Sequence, residues 1–161
     1  MVVLYLIYVI IPNKNNRFRT VARGIVLLSI SITGLVFHIM LAPEIKLFTG
    51  ENISLTQHLT HTVAPIGFIL DWLLFDLKNQ MRWKDLRFWV IHPLIYWVAF
   101  MIYGIITGIY PYPFMDINLI GLTAAIIWLA TLTFFFILLG LLYIAIDIKL
   151  GKFNNSNNLI P

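Results

Sequence analysis

An all-α transmembrane helical bundle is the fold class this sequence predicts, and three observations predict it. Hydrophobic residues make up 60% of the 161 positions and only 11% are charged, against about 25% charged in soluble domains. Mean hydropathy is +0.89, and four apolar stretches are each long enough to cross a ~30 Å hydrocarbon core. Ten of the eleven Lys and Arg residues fall in, or within one turn of, alternate connections between those stretches and in the tail. A water-soluble fold with so little charge could not cover its surface. The absence of cysteine excludes disulfides, iron–sulfur clusters and thiolate chemistry. The net charge of +4 is placed as topology rather than as a nucleic-acid surface, so membrane lipids are the expected surroundings.

In chain order, Met1–Ile11 is apolar and stops at Pro12. Its length spans only about half of a bilayer core. It lacks the basic start and small-residue cleavage site of a signal peptide, so it is expected to be the back half of a spanning helix. Asn13–Thr20 is a polar loop carrying Lys14, Arg17 and Arg19, with Arg23 just beyond. The first full span is predicted over 20–41, with His38 near its far end and Pro43 after it. The loop Ala42–Ile53 holds Lys46 as its only basic residue. The second span covers 54–75, and a basic loop with Lys78, Arg82, Lys84 and Arg87 follows. The third covers 88–107 and leads into the sequence GIYPYPF, with Gly104 and Gly108 reading as close helix packing. The fourth covers 117–146, long enough to tilt or to break near Gly140. A single transmembrane domain over 1–148 and a polar, disordered tail over 149–161 complete the expected organisation.

The alternation of basic loops follows the positive-inside rule. It predicts cytoplasmic first and third loops, a cytoplasmic C-terminus and a cell-membrane location. Trp72, Trp83 and Trp89 then belong to the inner interface, and Tyr110 and Tyr112 to the outer one.

The second span is the most informative. Gln57–Phe75 is apolar enough for a membrane yet carries two His, two Thr, a Gln, a Pro and an Asp. Ionisable groups in hydrocarbon are costly and face a bundle interior, a cavity or a site. At ~100° per residue, Gln57, Thr60, His61, Ala64, Gly67, Phe68 and Asp71 share one arc, with His58 and Pro65 at its edge. Leu55, Leu59, Val63, Ile66, Ile69, Leu70 and Leu73 fill the other. Pro65 cannot donate to the carbonyl of His61 and is expected to kink the helix. By depth, His38, His58 and His61 gather in the outer third, and Thr107, Tyr110, Tyr112 and Asp116 approach from the following connection. Asp71 lies ~15 Å of rise from His61, too far for a dyad.

Three chemistries suit such an outer cluster. His61 could be a general base beside a hydroxyl, with Thr60, Thr62 and Thr107 as candidates by type. His38 with His58 or His61 could ligate a haem or metal, although no carboxylate stands behind them to orient the rings; no cofactor is expected. The histidines could also simply hydrogen-bond between helices.

The run LTHTVAPIGFILDWLLF (Leu59–Phe75), the segment His92–Tyr96 and GIITGIYPYPFMD (Gly104–Asp116) together resemble the bacterial membrane proteins known as Pr-six-Pr. Those are distant relatives of the androgen-induced-gene-like and androgen-dependent TFPI-regulating membrane hydrolases. The resemblance covers about Arg23 to Ile148. It implies a six-helix fold and cleavage of fatty acid esters by a threonine and a histidine. His61, in its His-Thr pair before Val-Ala-Pro, matches the catalytic histidine, and His58 matches a second histidine of some members. The family's threonine belongs to an upstream helix that this chain does not match. The reading is therefore a lipid-ester hydrolase with His61 as catalytic base and His38, His58, Thr107, Tyr112 and Asp116 toward the substrate, a lipid-like ester. The alternative is a non-enzymatic membrane protein whose His, Thr and Asp serve packing.

Overall fold

The computed structural model describes residues 17–49 and 52–157, so the partial helix expected at Met1–Ile11 lies outside the described residues. Helices α1 (Arg17–Leu41), α2 (Ala42–Thr49), α3 (Leu55–Phe75), α4 (Leu86–Thr107) and α5 (Ile117–Asn157) follow one another with no strand among the described residues. Four of them, all but α2, are long and apolar enough to cross a membrane. The described residues form two compact units, one of 17–81 with 146–157 and one of 82–145.

The first unit is built on α1 packed against α3. Residues 26–28 and 30–32 of α1 are all buried, as are Gly24, Gly34 and Phe37. The two helices run antiparallel, since contacts on α3 fall in number as those on α1 rise. Arg23 meets Asp71, Gly34 lies against Pro65, Phe37 against His61 and His38 against Thr62. Of the arc expected to face lipid, Leu55, Leu59, Val63, Ile66, Leu70 and Leu73 are exposed and Ile69 is half-buried.

The opposite arc differs from the sequence expectation. Buried positions on α3 are Pro65, Phe68 and Trp72, whereas Ala64, Gly67 and Asp71 are exposed. The cause is a π turn over Leu59–Val63, in which the Ala64 N–H bonds to the Leu59 carbonyl. A π turn takes up about one extra residue, so the register below it advances by one position. A wheel drawn at constant pitch therefore names the wrong neighbours after His61. Ser54 begins α3 with a capping box: its hydroxyl accepts from the Gln57 N–H and the Gln57 side chain accepts from the Ser54 N–H.

Four further differences have local causes. The stretch Ala42–Thr49, expected as loop, is helical, because the chain passes Pro43 through a second π turn over Phe37–Leu41 rather than ending there. The long helix is interrupted at Gly121 (φ 79°, ψ 157°) and not at Gly140, as a left-handed φ there suits a residue without Cβ. It also continues through Asn157, past the point where a disordered tail was expected. Gly104 accommodates the ring of Tyr110 from the following connection, and Gly108 (φ 73°) caps α4 with its N–H on the Gly104 carbonyl. Neither glycine acts as a helix-packing surface.

The basic end of the first unit is held by polar groups. Arg23 bridges Asp71 at 2.5 Å and also pairs with Asp76, and its guanidinium lies 5.6 Å from the Phe68 ring centroid. Lys78 donates to the carbonyl of Trp72 and lies over its ring, closing the end of α3. Asp147, almost wholly buried, accepts the backbone N–H groups of Gln80 and Met81 at 2.8 Å each, and its carbonyl accepts from Asn79. Arg17 donates to the Gln80 carbonyl at 2.7 Å. Asp147 lies one residue beyond the predicted end of the last span and carries no pattern that singles it out in the sequence.

Two outcomes follow from this end of the molecule. Asp147→Ala removes the acceptor of one buried and one part-buried N–H group and is expected to cost about 1–3 kcal/mol, with Asp147→Asn costing less; melting of the purified protein in detergent measures both. Burial pushes the Asp76 carboxyl from its usual 3.8 up to about 6, against the opposing pull of Arg23. The folded state then holds the proton more tightly than the unfolded chain, so Asp76 makes stability fall as pH rises between 3.8 and about 6. Melting temperature across that window should show this slope, and Asp76→Asn should flatten it.

Candidate functional site

The π turns on α1 and α3 have the same local origin. Each ends in an Ala-Pro pair, Ala42-Pro43 and Ala64-Pro65, and each contains a histidine, His38 and His61. Proline offers no N–H and its ring crowds the carbonyl four residues back. The preceding turn widens, the alanine N–H reaching back to Phe37 in one helix and to Leu59 in the other. Such single-turn widenings recur at functional sites. Here they set two histidines on facing helices.

His61 is half-buried, with its ring stacked on that of buried Phe37 at a centroid distance of 4.2 Å and an interplanar angle of 16°. Its Nδ1 lies 3.1 Å from the Gln57 carbonyl and 2.8 Å from the Thr60 hydroxyl oxygen. The Thr60 hydroxyl itself donates to the Thr56 carbonyl at 2.9 Å. A carbonyl only accepts, so these contacts are all satisfied when Nδ1 carries the proton and Thr60 receives it while donating onward. That tautomer leaves a lone pair on Nε2, which has no hydrogen-bond partner among the described residues. The capping box fixes Gln57, and through its carbonyl the ring of His61. Gly34 completes the fit, because a Cβ there would stand 3.1 Å from both the His61 carbonyl oxygen and the Pro65 ring.

His38 is exposed and its Nε2 sits 2.8 Å from the Thr62 hydroxyl. His58 is exposed on the first turn of α3. These three histidines and Thr62 belong to the first unit. Thr107, Tyr112 and Asp116 belong to the second. There the Thr107 hydroxyl donates to the Tyr103 carbonyl at 2.8 Å and accepts from the Ile109 N–H. The Asp116 carboxylate accepts from the N–H groups of Asn118 and Leu119 at the start of α5. Tyr112 stacks on Phe114 at 5.0 Å, and Phe114 lies 5.9 Å from Trp128. Both Thr107 and Asp116 thus close helix ends. Asp71 pairs with Arg23 at the other end of α3.

Sequence reasoning named Thr62 only by type and passed over Phe37. The signal was present as the repeated His followed within a turn by Ala-Pro, at His38 and again at His61. Among the described residues no cluster of three or more His, Cys, Asp or Glu could hold a metal ion.

Thr62→Val keeps volume and removes the hydroxyl that joins His38 to α3. It is expected to lower stability by roughly 0.5–2 kcal/mol, and an unchanged melting temperature would mean the bond carries no load.

The protein-family model for FAR-17a/AIG1-like proteins matches residues 38–145, about two thirds of the chain, beginning at His38 and including His61. Comparisons with curated proteins and with solved structures found no match.

Proposed function

The chain belongs to the FAR-17a/AIG1-like family, and on that premise we propose that this multi-pass membrane protein is a lipid-ester hydrolase with His61 as its acid–base group. One observation carries the reading: His61 is held by its Nδ1 and by its ring face, and Nε2 is left with a lone pair and no partner among the described residues. A general base needs that arrangement, one nitrogen anchored by an acceptor and the other available to a reacting hydroxyl.

In the proposed reaction, Nε2 removes the proton of a hydroxyl as its oxygen attacks the ester carbonyl. The imidazolium that forms is stabilised by the Gln57 carbonyl on its Nδ1–H. It then returns the proton to the departing alcohol oxygen as the tetrahedral intermediate collapses, and water repeats the cycle to release the acid. The resemblance assigns the attacking hydroxyl to a threonine on a helix upstream of the matched motifs. Thr60 is less suited, because its hydroxyl already donates to the Thr56 carbonyl.

His38 and His58 are proposed on the substrate side of the first unit, and Thr107, Tyr112 and Asp116 are proposed to shape the connection between α4 and α5 in the second. Distribution of the basic residues supports a cell-membrane orientation with the C-terminus in the cytoplasm and His61 in the outer half. A lipid-like ester would then enter from the outer leaflet. A second reading, packing without catalysis, draws support from the His38–Thr62 bond and the Phe37–His61 stack, both of which join α1 to α3.

Fluorophosphonate labelling and ester hydrolysis by the full-length protein in liposomes separate the two. Wild type should label and turn over, and His61→Ala should lose at least about 100-fold in rate under conditions where its melting curve shows that it is still folded. Absent labelling in both, with His61→Ala changing only the melting temperature, would move the assignment to packing.

A further inference from the structure

The second unit contains an open groove of about 750 Å³ near the first turn of α4, lined by Trp83, Lys84, Arg87, Val90, Ile91 and Ile137. We infer that this groove binds an anionic phospholipid, its headgroup between Lys84 and Arg87 and one acyl chain along Val90, Ile91 and Ile137. The inference rests on the multi-pass membrane assignment and is independent of the hydrolase reading.

Lys84 and Arg87 are both exposed and stand three residues apart around the start of α4, a spacing that puts two side chains on one helical face. Neither meets a carboxylate among the described residues. The nearby acid, Asp85, is buried and accepts the Arg82 N–H at 2.8 Å. The Arg87 guanidinium rests 4.6 Å from the Phe88 ring centroid, which limits its freedom while leaving its donors available. Two cations without counter-charges at a membrane interface attract a phosphodiester.

The rest of the lining selects a lipid over a small soluble anion. Val90 and Ile91 lie about one turn deeper than Arg87 along α4, and Ile137 supplies the facing wall from α5. Ile91 is 48% exposed and Trp83 54% exposed. Trp83 stands at the basic end, where an indole at headgroup depth is favoured. Charge at the mouth with aliphatic walls below has the polarity of a phospholipid.

The test is lipid retention in nanodiscs of phosphatidylcholine and phosphatidylglycerol in equal parts, read by native mass spectrometry after detergent release. Wild type should retain phosphatidylglycerol selectively. Lys84→Ser/Arg87→Ser should retain roughly tenfold less, while Lys149→Ser/Lys152→Ser, which removes the same charge elsewhere, should match wild type. Val90→Trp fills the groove without touching the charges and should also lose retention; it keeps the test standing if the first double variant does not fold. Equal loss in both double variants would replace the site with a diffuse surface field. No loss in Lys84→Ser/Arg87→Ser, or full retention in Val90→Trp, would overturn the groove.

Discussion

A proline cannot donate a backbone hydrogen bond, and in this chain two Ala-Pro pairs place that deficit just after a histidine. In water the unpaired carbonyls would be solvated. In hydrocarbon they must be satisfied within the protein. The preceding turns widen in response, and the alanine N–H takes the carbonyl five residues back in each helix. Much of the α1–α3 seam follows from this. The π turn on α3 moves Pro65, Phe68 and Trp72 onto the buried face, and Gly34 supplies the space that the Pro65 ring and the His61 carbonyl need. His61 is thereby turned against Phe37 with one nitrogen committed and the other without a partner among the described residues.

The seam is fastened at both ends by different chemistry. Toward the histidines it is held by neutral contacts, the His38–Thr62 bond and the Phe37–His61 stack. At the basic end it is held by Arg23 between two carboxylates, and by Asp147 gathering the backbone of the 79–81 loop. The charged anchors stand toward the Arg17 end of α1 and the Phe75 end of α3, and the opposite end is joined by a His–Thr bond and a ring stack. This division leaves the position of the histidine end independent of ionic interactions.

Hydropathy was enough to place four helices of span length, the start of α3 at Ser54 and the exposed leucines and isoleucines of α3. Those features depend on composition and on a period that holds over a few turns. Features that depend on exceptions to the period were not legible. A constant pitch put Asp71 and Gly67 on the buried arc, and one extra residue at the π turn moved them off it. Gly121 rather than Gly140 interrupts the last helix, because φ at each glycine is decided by its surroundings and not by its identity. His61 was legible as a special residue because ionisable groups in apolar helices are few. The pairing of His38 with Thr62 was not, since it needs the register between two helices that the sequence does not encode locally. Asp147 was hidden for the same reason, its partners lying 66 and 67 positions away.

The account turns on which nitrogen of His61 holds the proton, and solid-state ¹⁵N NMR of selectively labelled protein in bilayers reads that directly. A pyrrole-like Nδ1 and a pyridine-like Nε2, at a pH where the ring is neutral, is the predicted result, with the Nδ1 signal shifting when Gln57 is displaced by breaking the Ser54 cap. The opposite assignment, a protonated Nε2 and a bare Nδ1, would set the Nδ1 lone pair against the Gln57 carbonyl oxygen, make Nε2 a donor, and contradict the proposal that His61 is poised as a base.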